Sequence, residues 1–365
     1  MKYLTILLVT LFVIITSLNA QDESLRTKYE SLQFEIESFN PVDHLAPLNQ
    51  DSTFSCWSFA TLSFIESEMI RLGREPVKLA VMYPVYYAFL EKAKYYVKTK
   101  GESLFAPGDL FHTVFDIVQE YGIVPLENYR GQKHNYNTFN HNLLYSELNY
   151  LMSQVKNESM WDETRVVEQV RTILNAHLGE PPSEFIYQGK KYTPSSFRDK
   201  QVGLPWDQYL TLTSFTYAPF DSLIVLDVPD NWKRRKVYLN LPLEQFYSKL
   251  THSLTNGYSV AIDCDNSEPG MLGSSDISII PEYDIPKNLI SQSAREYRFQ
   301  NGATTDDHLM HIVGIRETDE GIWFLVKDSW RNAWEGSHKG YFIFHEDYVR
   351  LKVLAFMVHK DALTQ

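Results

Sequence analysis

The sequence predicts an α+β fold of two packed lobes, one helical and one built on antiparallel strands, and three observations carry the prediction. Apolar residues at helical spacing fill the first half of the chain, from Ser55 to Leu178. Short segments rich in β-branched and aromatic residues fill the second half, from Leu223 to His359. Helices first and strands later also exclude the strict alternation that a doubly wound parallel sheet requires. The expected boundaries are a leader over residues 1–20, a lead-in over 21–44, a mainly helical lobe over 45–190 and a sheet-rich lobe over 191–365.

The elements follow in order. Phe59, Leu62, Ile65 and Met69 share one face, so a helix begins at Cys56 with Ser55 as its N-cap. Further helices are expected over 77–97 and over 109–121, where Leu110, Val114, Ile117, Val118 and Tyr121 share a face and Gly122 supplies the stop. Two more amphipathic stretches cover 143–155 and 161–178. Strand signals then occupy 223–228, 258–263, 308–315, 322–327, 340–344 and 353–359, with a helix over 242–254 closed by Asn256-Gly257. Thr318-Asp319-Glu320-Gly321 is polar and ends in glycine, as a hairpin connection should. There is no internal repeat and no low-complexity tract.

With 365 residues, 44% of them hydrophobic, the chain can bury a large core. The net charge of -12 excludes a nucleic-acid binder, for want of a basic excess to neutralise phosphates. The run Lys233-Arg234-Arg235-Lys236 is a solvated turn. Lys2, the apolar run Leu4 to Ile15 and a polar segment ending at Ala20 form a secretory signal, so the mature chain is expected outside the cytoplasm, secreted or periplasmic. A retained anchor is the alternative, although the run is short for a bilayer span. Cys56 and Cys264 are the only cysteines, which excludes a disulfide framework but leaves one bridge open. Asn157-Glu158-Ser159 is a glycosylation sequon if the host is eukaryotic.

A lone cysteine is usually a small buried hydrophobe. Cys56, however, opens a helix, where the positive end of the dipole favours thiolate. His308 begins an apolar strand and Asp328 closes the next, so pairing through the hairpin brings the two side chains together. A nucleophile, a base and an orienting group drawn from distant sequence are what thiol acyl transfer needs. His311, three residues on, points to the opposite strand face. Asp306, Asp307, His308 and His311 suit neither a helical histidine pair nor a zinc ribbon, and no metal or other cofactor is expected. Cys264 follows an apolar strand and reads as a core thiol.

The segment Gln50-Asp51-Ser52-Thr53-Phe54-Ser55-Cys56-Trp57 resembles the active-site segment of papain-like cysteine peptidases. His308 with Gly314 resembles that family's histidine strand, and Lys327-Asp328-Ser329-Trp330 its Lys/Glu-Asn-Ser-Trp segment. Asn231-Trp232 through Leu250 with Asn256-Gly257 through Cys264-Asp265, and Pro107-Gly108-Asp109 through Tyr121-Gly122-Ile123-Val124-Pro125, are similar to the bleomycin hydrolase and aminopeptidase C branch. The resemblance runs from about Leu48 to the end of the chain.

It implies a papain-like fold and peptide-bond hydrolysis through a thioester. Cys56 would be the nucleophile, His308 its acid and base, Asp328 the orienting group, and Gln50 a donor to the oxyanion together with the Cys56 N–H. Trp330 would shield the His308–Asp328 contact, and Trp57, Trp330 and Gly108 would serve the substrate. The partner is a peptide or protein, and hexameric assembly is implied by the branch. Aspartate stands at 328 where the family has asparagine, Pro107 replaces the first glycine of a substrate-binding pair, and Phe54 stands where glycine is common. The chain ends at Gln365, short of the arm that restricts the branch to free N-termini. Aminopeptidase action is therefore what the resemblance implies, and endopeptidase action what a missing arm would permit. A silent binding protein of the same fold and an amide-transfer or deconjugating enzyme are the rivals from other classes.

Overall fold

A computed structural model describes residues 34–132 and 138–364. The leader and its cleavage site fall outside the described residues. Among those described, no helix is long and apolar enough to cross a membrane.

The first half supplies α1 (Cys56–Arg71), α2 (Met82–Lys98), α3 (Phe111–Tyr121), α4 (Asn142–Asn157) and α5 (Glu163–His177). α1 is buried from Cys56 to Met69, so its polar side chains need internal partners. Ser58 Oγ donates to Val81 O at 2.6 Å, and Glu66 accepts from Lys78 Nζ and the Leu79 N–H. α2 begins at Met82, later than the expected 77. The preceding residues are extended, with Leu79 bridging Pro125 and the Ala80 N–H donating to Val124 O. α3 stops at Gly122, whose φ of 81° suits glycine, and a Cβ there would lie 2.2 Å from the Pro194 carbonyl carbon. Ser55 occupies the N-cap position of α1, but its hydroxyl makes no cap and donates to Thr53 O at 2.9 Å.

A two-stranded hairpin, β1 (Phe185–Tyr187) and β2 (Lys190–Tyr192), follows the helices. The remaining strands are β3 (Tyr209–Thr213), β4 (Ser222–Val225), β5 (Lys236–Asn240), β6 (Val260–Cys264), β7 (Met271–Leu272), β8 (Ile277–Ser278), β9 (His308–Thr318), β10 (Gly321–Lys327), β11 (Tyr341–His345) and β12 (Val353–His359). They form one 10-stranded sheet in the order β4-β5-β3-β12-β6-β9-β10-β11-β8-β7. Only the β3/β5 and β8/β11 pairs are parallel. The expected hairpin is present, with Thr318 opposite Gly321.

The sheet separates two cores. Leu309, Ala261 and Ala355 face the helical half and join Leu62, Phe64 and Ile65 of α1. Met310, Ile312 and Phe356 face the other way, against α6 (Leu243–Thr255) and α8 (Glu346–Lys352). α7 (Gln292–Gln300) lies between them in sequence. The lead-in is not idle: Phe34 and Phe39 pack on Trp323, Leu325 and Val313, and the Val42 N–H donates to Val313 O at 2.7 Å.

Candidate active site

α1 packs across β9, so the first residue of the helix meets the first residue of the strand. The Cys56 side chain stands beside the His308 ring, close enough for its charge to act on the imidazole. His308 Nε2 is taken by Asp328 Oδ1 at 2.6 Å, which leaves Nδ1 for the sulfur. Asp328 arrives by the hairpin: β9 and β10 pair antiparallel, and β10 ends one residue before it. Its Oδ1 also accepts the backbone N–H of Ser329 at 2.5 Å and of Trp330 at 3.0 Å. Burial opposes charge on His308, yet the Asp328 and Cys56 charges and hydrogen bonds outweigh it and hold the imidazole well above its ordinary value.

Gln50 enters from the segment ahead of α1. Its backbone N–H donates to Ser329 O at 2.8 Å, and Ser329 Oγ donates to Gln50 Oε1 at 2.7 Å. With its oxygen held, the side-chain NH₂ is the free end of the amide, and it has no acceptor among the described residues. The Cys56 N–H, at the helix start, is likewise without an acceptor there. Ser329 thus fixes the orientation of the Gln50 amide, a contact between distant residues that no local motif encodes.

Trp330 stands edge-on to His308, with ring centroids 6.2 Å apart. Phe54 is 47% exposed beside Trp330 and holds a φ of 49°, the left-handed conformation that explains why glycine is the easier residue there. Trp57 is only 1% exposed, and its Nε1 donates to Pro107 O at 2.9 Å, so it fixes the Pro107–Gly108 segment from behind. Gly108 permits close approach: a Cβ there would lie 2.1 Å from Asp230 Oδ2.

The other candidates lie elsewhere. His311 also reaches α1, against the expectation of an opposite face, but it meets Ser63 Oγ at 2.9 Å, two turns beyond Cys56. Strict alternation governs Leu309 to Ile312, whereas His308 is the first strand residue and lies at the mouth of the groove. Burial and then the charge of Lys327 push His311 well below its ordinary value. Cys264 is a free, fully buried thiol in the sheet core, raised by burial and by the charges of Asp307 and Asp263, and Cys56 is free too, so the one bridge left open is not formed. Behind the pair, Lys327 Nζ donates to Leu45 O at 2.6 Å and to Ser63 Oγ at 2.7 Å.

Comparison with known proteins identifies the family and the fold. The model of the Peptidase C1-like family matches residues 14–365. Aminopeptidase G of Lactobacillus delbrueckii subsp. lactis is 23% identical, over 89% of this chain and 83% of its own. Aminopeptidase C of Lactococcus lactis subsp. lactis is 21% identical, over 87% of this chain and 81% of its own. The solved structure of PepW from Lactobacillus rhamnosis HN001 superposes with a TM-score of 0.68 at 21% identity, over 94% of this chain and 89% of that one.

Proposed function

The chain belongs to the Peptidase C1-like family and is a cysteine-type peptidase, and on that premise we propose an aminopeptidase action carried by Cys56, His308, Asp328 and Gln50. The observation that carries the reading is the position of His308, beside Cys56 and hydrogen-bonded to Asp328. Cys56 Sγ attacks the scissile carbonyl as a thiolate, forming the C–S bond while the carbonyl π electrons move to oxygen. The oxyanion takes hydrogen bonds from the Gln50 side-chain NH₂ and the Cys56 N–H. His308, charged at this stage, gives its proton to the leaving amine as the C–N bond breaks. Water then adds to the thioester, His308 accepts its proton, and the carboxylate product leaves with the thiolate restored.

The names of the bacterial relatives support aminopeptidase action. A second reading is endopeptidase action by the same residues, on a peptide that runs through the groove. Hydrolysis of amino-acid amides is compared with that of N-blocked peptides: cleavage of blocked internal bonds rules out a strict exopeptidase. Export through residues 1–20 and assembly into a hexamer belong to the same proposal. Mass spectrometry of the mature N-terminus and light scattering test them.

A further inference from the structure

Phe54 holds a backbone conformation that a large side chain does not choose. Its φ of 49° lies in the left-handed region, which is unfavourable for any residue with a Cβ and most of all for a bulky one. The segment around it imposes that conformation. The Gln50 N–H is tied to Ser329 O and the Ser52 N–H to Phe139 O, Asp51 Oδ2 accepts the Phe139 N–H, and Thr53 O accepts both Ser55 Oγ and the Tyr145 hydroxyl. Thr53 and Ser55 are wholly buried, whereas Phe54 between them is turned outward and half exposed. Strain of this kind persists only where the surroundings over-determine it, and it gathers at working sites.

The outward ring has aromatic neighbours. It lies 6.3 Å from Trp330 and 6.0 Å from Tyr145, centroid to centroid. Trp330 in turn stands edge-on to His308, so two rings lead in sequence from the imidazole towards solvent. A single exposed aromatic is ordinary on a protein surface. This one lies two residues before Cys56, touches the ring that borders His308, and sits where glycine would carry no strain. The chemistry sets the side of the groove. His308 passes a proton to the leaving nitrogen, so the departing residue lies on the imidazole side of the scissile bond. Trp330 and, beyond it, Phe54 border that side.

We propose that Phe54 is a specificity-determining residue that, with Trp330, receives an apolar side chain on the substrate residue released as the amine. Its ring offers dispersion contact and removal from water to an aliphatic or aromatic side chain. Glycine at that position has nothing to place there, and a carboxylate would lose water without gaining a partner. This role of Phe54 rests on the peptidase reading and deepens it by naming the class of residue accepted at one position.

The test measures kcat/KM of wild type and Phe54→Gly on two series of substrates. One is leucyl peptide amides that release either phenylalaninamide or glycinamide; the other is coumarin amides whose acyl residue is either phenylalanine or glycine. Both are run unblocked and N-acetylated, so that either mode of cleavage reports. The ratio of phenylalaninamide to glycinamide release should fall about tenfold in Phe54→Gly, with less than a twofold change in the acyl ratio. A change in the acyl ratio as large as that in the release ratio, or no change in either, overturns the assignment. Because glycine accepts the φ of 49°, the variant should resist urea as well as wild type does. A loss of stability with an unchanged release ratio marks the ring as packing and overturns it too. If wild type cleaves neither series, the peptidase reading falls, and calorimetry then reads Phe54 alone. Phenylalaninamide should bind wild type more tightly than glycinamide, and the difference should vanish in Phe54→Gly; a difference that is absent in wild type or persists in the variant overturns it.

Discussion

His308 Nε2 and Asp328 Oδ1 are 2.6 Å apart in a setting where both residues are almost fully buried. Little solvent lies between them to screen the carboxylate, so its charge acts on the imidazole more strongly than the neutral amide of an asparagine would.

Asp328→Asn should therefore move the basic limb of the pH profile to lower pH. The charge of Asp328 raises the His308 pKa against burial, so its removal lowers that pKa, and the imidazolium is lost sooner as pH rises. A shift on the order of one pH unit in kcat/KM is expected. Stability follows the same sign. The stabilisation from a raised histidine is complete below its ordinary 6.5 and lost as pH rises through the folded value, so the deficit of the variant in urea unfolding should be larger at pH 6 than at pH 9. Superimposable pH profiles would remove the electrostatic role of Asp328.

Alkylation should distinguish the two thiols. Cys56 meets His308 at the groove, whereas Cys264 is wholly buried with its thiol pushed up. Iodoacetamide at mildly acidic pH, followed by peptide mass spectrometry, should modify Cys56 first and abolish activity. Labelling of Cys264 ahead of Cys56 would contradict the assignment.

Gln50→Ala should lower kcat by roughly 10²-fold with a small effect on KM, as expected for a donor that acts on developing charge. Ser329→Ala should give a smaller loss of the same kind, because Ser329 Oγ donates to Gln50 Oε1 at 2.7 Å and fixes which end of the amide faces the groove. A change confined to KM in both variants would move Gln50 from the oxyanion to ground-state binding.

Lys327 supplies a prediction about stability. Burial, reinforced by the like charge of Lys78, lowers its ammonium to about 7. A lysine depressed in the folded state penalises folding at low pH, and the penalty fades as pH rises from about 7 towards the ordinary 10.5. The stability of Lys327→Met relative to wild type should therefore fall between pH 6 and pH 10, by on the order of 3 kcal/mol. Urea unfolding at the two pH values measures it, and a constant difference would place the charge in solvent.

Much of this was legible because periodicity and turn chemistry agree over long elements. α1, α3, the β9–β10 hairpin and β12 lie where the pattern puts them. What escaped is short or locally ambiguous. β3 and β5 have five residues each, and α8 has seven, too few to display a period. The β1–β2 hairpin turns on Gln188-Gly189, both with positive φ, a signal the glycine alone carried. At the site, residues with family counterparts could be read, whereas Ser329 as a support for Gln50 could not, since that depends on a contact between residues 279 apart. The lead-in was passed over because Phe34 and Phe39 insert singly, without repeating.

That lead-in decides which parts travel together. Gln50 precedes the thiol by only a few residues, yet its backbone is tied to Ser329, and the strand of chain before it is anchored through Val42 to Val313 and through Leu45 to Lys327. The amide, the imidazole and the carboxylate are therefore carried on one hydrogen-bonded frame, and α1 is pinned to the same frame by Ser63, which meets both His311 and Lys327, so the sulfur is held in register with all three at once.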